Sequence, residues 1–201
     1  GYLPKNRFAD FVNLAYVHPL GHEHAEVTVY IPCLTIFENR PLQAIFEQLY
    51  LKYGGILYDR LRDELGLVYG ISGSFRQTMQ ALEIELACEI RHVKKILSEI
   101  ISTFSDFEKN FKRSKFLHMK SKVKKQKDMA ADNPKFFVDF TEKRMLNYGV
   151  AEKYEEYGDK IEQVSEQNIR DLYKEIQNNL PNKKVIVVSK SSRIETDNIF
   201  I

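Results

Sequence analysis

The chain has 201 residues, 43% of them hydrophobic and 12% aromatic, enough to fill one sizeable core, which excludes wholesale disorder. A formal net charge of +2 gives no electrostatic footprint for nucleic acid or a membrane surface. No apolar run approaches the roughly 20 residues of a membrane span.

The opening, "GYLPKNRFADF", has neither the basic region nor the apolar region of an export signal, and its first residue is Gly rather than Met. The Gly start predicts an excised fragment or a processed form, and the missing export signal, with two cysteines read as reduced, predicts a cytoplasmic setting. "NLAYVHPLGHEHAEVTVYIPC" (13–33) reads as two strands around a Pro-Leu-Gly turn. "NRPLQAIFEQLYLKYGG" (39–55) reads as a helix. Asn39 is its cap, Pro41 sits in its first turn, Gly54 ends it, and Leu42, Ile45, Phe46, Leu49 and Tyr53 form its apolar stripe.

"LYDRLRDELGLVYGISGSF" (57–75) starts as a helix, with Leu57, Leu61 and Leu65 on one face, and stops at Gly66. A strand follows from Leu67. Arg62 falls at the edge of the buried helix face, and Tyr69 near the start of the strand. The pair either flanks one cleft or is a surface cation plus a core tyrosine, because Tyr69 shares strand parity with Leu67, Ile71 and Phe75. The small residues Gly70, Ser72, Gly73 and Ser74 predict close approach of another backbone or a packed helix.

"QALEIELACEI" (80–90) alternates strictly and predicts a half-buried strand, hairpin-linked to the previous one through "RQTM". Val93, Ile96, Leu97, Ile100, Ile101 and Phe104 keep helical spacing. Ser105 and Glu108 have capping-box spacing, so a helix is expected to begin there. Further helices are expected over 132–149 and after a Ser165 cap, then a late apolar strand in "KKVIVVSK". Residues 1–190 are assigned to one α+β domain, a largely antiparallel sheet covered on one face by helices, and 191–201 to a tail.

Cys33 and Cys88 are 55 residues apart in strand-like runs and read as buried thiols. His22 and His24, with Glu23 and Glu26, share a strand entrance, but two imidazoles lack the third ligand zinc needs, and HExxH and HxxEH are absent. A solvated, polar strand entrance is the plainer reading. The run 109–127 holds nine Lys or Arg and no carboxylate; it is either a solvated helix face or a wall for an acidic partner. No spacing supports a nucleophilic triad.

With "YLKYGG" before it, "LYDRLRDELGLVYGISGSF" resembles a signature of the M16 zinc metallopeptidases, the pitrilysin, insulysin and mitochondrial-processing-peptidase group. The resemblance covers about residues 20–190, through "AEVTVYIP", "LEIELACEI", "VSEQNIRDLYKEI" and "KKVIVVSK", with "LRDELGLVY" its most specific part. It implies two homologous α+β halves closing around a peptide, zinc held by HxxEH in the N-terminal half. Having the Arg–Tyr pair and no HxxEH, this chain resembles the C-terminal, metal-free half, with no cofactor of its own and zinc in the partner half. The partners implied are that N-terminal half, in the same chain or another, and a peptide or unfolded polypeptide substrate, with no nucleic acid. Arg62 would bond a substrate carbonyl and help neutralise oxyanion charge, and Tyr69 would donate its phenol hydrogen nearby. The isolated chain is then expected to cleave nothing. The Gly54–Gly55 loop is shorter than the family's usual glycine-rich loop. Two other readings remain at this point: a non-catalytic M16-like scaffold or substrate-binding subunit, and a stand-alone binding domain using the basic helix.

Overall fold

The computed structural model describes residues 13–17, 24–33, 39–76, 79–130, 132–135, 138, 142 and 154–189. The helix expected over 132–149, apart from a few positions, and the 191–201 tail lie outside the described residues. So do the Pro-Leu-Gly turn and the centre of the "RQTM" turn.

Five strands form one sheet: β1 (Leu14–Val17), β2 (Ala25–Pro32), β3 (Val68–Arg76), β4 (Ala81–Cys88) and β5 (Lys184–Ser189), in the order β1-β5-β2-β4-β3. All neighbours are antiparallel except β1 and β5. The two strands flanking the Pro-Leu-Gly segment therefore do not pair with each other; the late strand β5 enters between them. Its run "KVIVVS" suits a strand flanked on both sides, with Val185 and Val187 buried toward the helices and Ile186 and Val188 half-buried on the other face. Asn13 Oδ1 accepts from the Val185 N–H at 2.9 Å and ties the starts of β1 and β5 together.

Helices cover one sheet face. The first, α1 (Arg40–Tyr50), is capped by Asn39, whose side chain accepts from the Leu42 N–H at 3.1 Å. Its buried stripe is Leu42, Ile45, Phe46, Leu49 and Tyr50. Tyr53 does not join it as expected: the helix ends at Tyr50, the turn at Gly54 intervenes, and Tyr53 is left 75% exposed. Tyr50 takes the vacated place in a stacked aromatic centre with Phe46, Phe104 and Tyr173. Each such buried side chain contributes roughly 1.5–3 kcal/mol of transfer free energy.

A short helix, α2 (Ile56–Tyr58), runs directly into a π-helix (Asp59–Glu64). Then come β3, β4 and α3 (Val93–Thr103), which buries Val93, Ile96, Leu97 and Ile100. Ser105 does not cap the next helix. Its hydroxyl donates to the Ile101 carbonyl at 2.7 Å, while Asp106 accepts from the Lys109 N–H and starts α4 (Phe107–Asn110). After α5 (Arg113–Ala130) and α6 (Tyr154–Gln163), α7 (Glu166–Asn179) begins at the expected Ser165 cap, which Asn168 closes into a capping box. It buries Ile169, Leu172, Tyr173 and Ile176.

Cys33 and Cys88 are both free and fully buried. Ala25 pairs with Cys88 and Cys33 lies eight residues along the same strand path, so no disulfide can join them. Burial pushes the Cys88 thiol up to about 12, and Cys33 higher than its ordinary value, as expected of small hydrophobes.

The small residues of β3 divide into two kinds. A Cβ on Gly73 would meet the Glu83 carbonyl oxygen and Leu51 Cδ1, each at 2.6 Å, so this glycine admits the α1 exit onto the strand. A Cβ on Gly70 would meet nothing within 4 Å. We expect Gly73→Ala to lower unfolding free energy by about 1–3 kcal/mol in urea titrations, with Gly70→Ala within about 0.5 kcal/mol of the parent. Equal effects at the two positions would contradict this packing.

Candidate functional site

The site is built on the α2–β3 connection. From Asp59 the backbone opens into i→i+5 hydrogen bonding, with the Leu65 N–H on the Arg60 carbonyl at 3.2 Å. The leucine stripe survives only in part: Leu57 and Leu61 are fully buried, and the wider turn leaves Leu65 partly exposed. Gly66, at φ +59°, then reverses the chain, and the Leu67 N–H reaches back to the Leu61 carbonyl at 2.9 Å.

Charged neighbours pin the π-helix to the helical layer. Arg60 bonds Glu64 at 2.9 Å and Glu99 of α3 at 3.0 Å; Asp59 receives Lys115 of α5 at 2.7 Å. Arg62 is exposed and makes no hydrogen bond or ion pair among the described residues. Its guanidinium lies over the Tyr58 ring, 5.6 Å from the centroid, and Tyr58 is packed edge-on against Tyr53 at 5.5 Å. The stack orients Arg62 while leaving its five N–H donors unengaged.

Tyr69 faces outward. The register moves from Val68↔Cys88 to Gly70↔Ala87, so two steps on β3 oppose one on β4, and Tyr69 is the extra residue of a β-bulge. The bulge breaks the parity that would have made it a core tyrosine: Leu67, Val68 and Ile71 are buried, whereas Tyr69 is 59% exposed. His24, entering β2, meets its ring edge-on at 5.8 Å. Arg62 and Tyr69 thus lie before and after one tight reversal, and both side chains are exposed. Tyr58 and His24, which support them, were missed as partners. The four-residue step from Tyr58 to Arg62 was a readable signal, as was Gly70 inside a strand, a common mark of a bulge.

The sheet face away from the helices is acidic. Glu26 of β2 and Glu85 of β4 are exposed there, and Glu83 is buried under Arg76 at 2.5 Å. Burial, with Glu83 and Glu85 beside it, pushes the Tyr30 phenol above its ordinary value. A hollow of about 430 Å³ lies over Glu26, Thr28, Gly70, Ser72, Glu85 and Ala87.

Most of the basic run turns onto its own chain. Arg113 pairs with Glu166, Lys115 with Asp59 and Lys124 with Glu162; Lys120 caps the Glu162 and Val164 carbonyls, and Lys127 lies over the Tyr154 ring. These cations staple α5 to the elements around it. Among the described residues no three His, Cys, Asp or Glu side chains gather as a metal site; His18 and His22 lie outside those residues. No described helix is long and apolar enough to cross a membrane.

The class is therefore an α+β module with one helix-covered sheet face and one open face, displaying an arginine and a tyrosine at a π-helix and a bulge. The chain belongs to the M16 peptidase family: the model of the peptidase M16 inactive domain matches residues 7–123. Its fold is that of a conserved protein from Enterococcus faecalis V583 (TM-score 0.71, 12% identity, covering 92% of this chain and 43% of that one). A peptidase M16 inactive domain from Pseudomonas fluorescens gives a TM-score of 0.65 at 13% identity, covering 89% of this chain and 44% of that one. The inactive peptidase domain of a Bordetella parapertussis protein gives 0.62 at 12% identity, covering 82% and 91%. The chain spans under half the length of the first two. No curated protein matches the sequence.

At the far end of β3 from Tyr69, a half-buried carboxylate is shifted from its ordinary value. Glu47 of α1 accepts from the Phe75 N–H at 3.0 Å, and burial raises its pKa above the ordinary 4.5, against the lowering effect of that N–H and Lys52. A raised carboxyl binds more protons folded than unfolded, so its contribution to stability is present below the ordinary value and is lost as pH rises through the raised one. Glu47→Gln should flatten that fall in urea midpoints measured from pH 4 upward; an unchanged profile would assign the slope elsewhere.

Proposed function

We propose that this chain is the metal-free, substrate-contacting half of an M16-type peptidase, and that Arg62 and Tyr69 reach the reacting peptide carbonyl. The observation that supports the reading is the exposed pair itself: Asp59, Arg60 and Glu64 are ion-paired, Arg62 keeps its donors free beside an Asp63 equally unpaired among the described residues, and seven residues on a bulge turns a tyrosine outward. The bulge costs a ladder position and leaves a large aromatic side chain in solvent.

Arg62 would hold the substrate backbone by its planar fork of donors, always charged and already oriented on Tyr58. Tyr69 would donate its phenol hydrogen toward the oxygen on which negative charge grows. The partner half would hold zinc, supplying Lewis-acid polarisation and a water of lowered pKa. Closure of the two halves would exclude bulk water and strengthen both donors.

The test is kinetic, on the parent protein or on this chain combined with its zinc-bearing half. Arg62→Ala and Tyr69→Phe are each expected to lower kcat by roughly 10²–10³, about 3–4 kcal/mol of barrier, with zinc content and circular dichroism unchanged. Unchanged kcat would return both residues to the surface. A parent with no activity and no zinc would instead make the chain a substrate-binding scaffold.

A further inference from the structure

The β3 edge is the sheet's outer boundary, and only part of it is closed. The Phe75 N–H donates to Glu47 Oε1 at 3.0 Å, so it points away from β4; by antiparallel alternation the main-chain groups of Gly73 and Ile71 point the same way. Lys52 Nζ takes the Gly73 carbonyl at 2.9 Å. Glu47 and Lys52 thus cap the Phe75 end of the edge with side chains, as edge strands are commonly protected from pairing. Toward the bulge, the Ile71 N–H and C=O and the Gly73 N–H have no partner beyond the sheet among the described residues.

That open stretch borders the acidic hollow. On the exposed face β3 carries Gly70 and Ser72, and Ser72 pairs across to Glu85, from which its hydroxyl lies 3.5 Å away. No tall side chain stands between the edge and Glu85. A residue added opposite Ser72 would sit two strand spacings from Glu85, about 9.5 Å, within reach of an extended Lys or Arg.

We propose that β3 accepts a short extended peptide along Ile71–Gly73, with a basic side chain laid over Ser72 toward Glu85, and that Glu47 and Lys52 stop the pairing before Phe75. The clamp and the bulge leave too short an edge for a second copy of this chain to continue the sheet. Main-chain bonds would give affinity and the Glu85 carboxylate the preference for a cation. This inference rests on the substrate-contacting reading only in identifying the peptide as substrate; binding needs no zinc.

The experiment uses the full 201-residue chain, an eight-residue alternating Thr/Val peptide with a central Lys, and the same peptide with a central Glu. Amide exchange by NMR should slow at Ile71 and Gly73 at least tenfold with the Lys peptide, while Phe75 is unaffected. Fluorescence anisotropy should show the Lys peptide binding at least fivefold tighter than the Glu peptide, and Glu85→Gln should erase that difference with main-chain protection retained. In Glu47→Ala/Lys52→Ala the protected stretch should extend to Phe75. No protection at Ile71 and Gly73, or equal binding of the two peptides, overturns the proposal. Loss of this binding with Arg62→Ala still slowing turnover would remove the edge inference alone; peptide binding with Arg62 and Tyr69 inert in turnover would remove the catalytic reading instead.

Discussion

At the end of α1, Leu51 lies so close to β3 that Gly73 has no room for a Cβ. Two side-chain bonds from the same helix exit, Glu47 to the Phe75 N–H and Lys52 to the Gly73 carbonyl, hold the strand at that distance. Everything downstream inherits the placement. The helix must stop at Tyr50, the turn through Gly54 and Gly55 must be tight, and α2 must start where Leu57 and Leu61 enter the same core. The turn is itself cramped: a Cβ on Gly55 would meet the Lys52 carbonyl oxygen at 2.7 Å.

Given that anchor, two irregularities follow one another within a dozen residues. A π-helix gives up good hydrogen-bond geometry, and a bulge gives up a ladder position; neither persists without support. Arg60 on Glu99 and Lys115 on Asp59 support the first by tying it to α3 and α5. Exposed pairs of this kind are individually worth less than about 1 kcal/mol, so their value is positional. They fix which side of the π-helix faces outward, and Arg62 is on that side.

The large features were legible because they depend on burial. Period-two alternation in β4, the stripe of α3 and the Ser165 cap all follow from a side chain choosing the core or a backbone N–H. What escaped was set by tertiary packing. Nothing local says that β5 slips between β1 and β2, because strand order depends on where the helices between them pack. Ser105 had the right spacing for a cap, but Ile101 took its hydroxyl first. For Arg62 and Tyr69 the residue pattern left two readings, a pair flanking one cleft or a surface cation plus a core tyrosine, and strand parity could not settle Tyr69's exposure, since a bulge reverses parity without changing composition.

Charge shows the same limit and explains it. A net +2 conceals two opposed surfaces, because the basic run turns Lys115, Lys120, Lys124 and Lys127 onto neighbouring elements while the open sheet face keeps Glu26 and Glu85 exposed. Summed over the chain these terms nearly cancel; on the open face carboxylates outnumber the cations, Arg76 being already paired to Glu83 and Lys184 lying away on β5. Recognition by such a face is therefore governed by which charges the fold has already paired. Around Arg62 the charges of Asp59, Arg60 and Glu64 are neutralised in place, which leaves the guanidinium and the neighbouring Asp63 carboxylate as the exposed charges of the π-helix without an ion pair among the described residues.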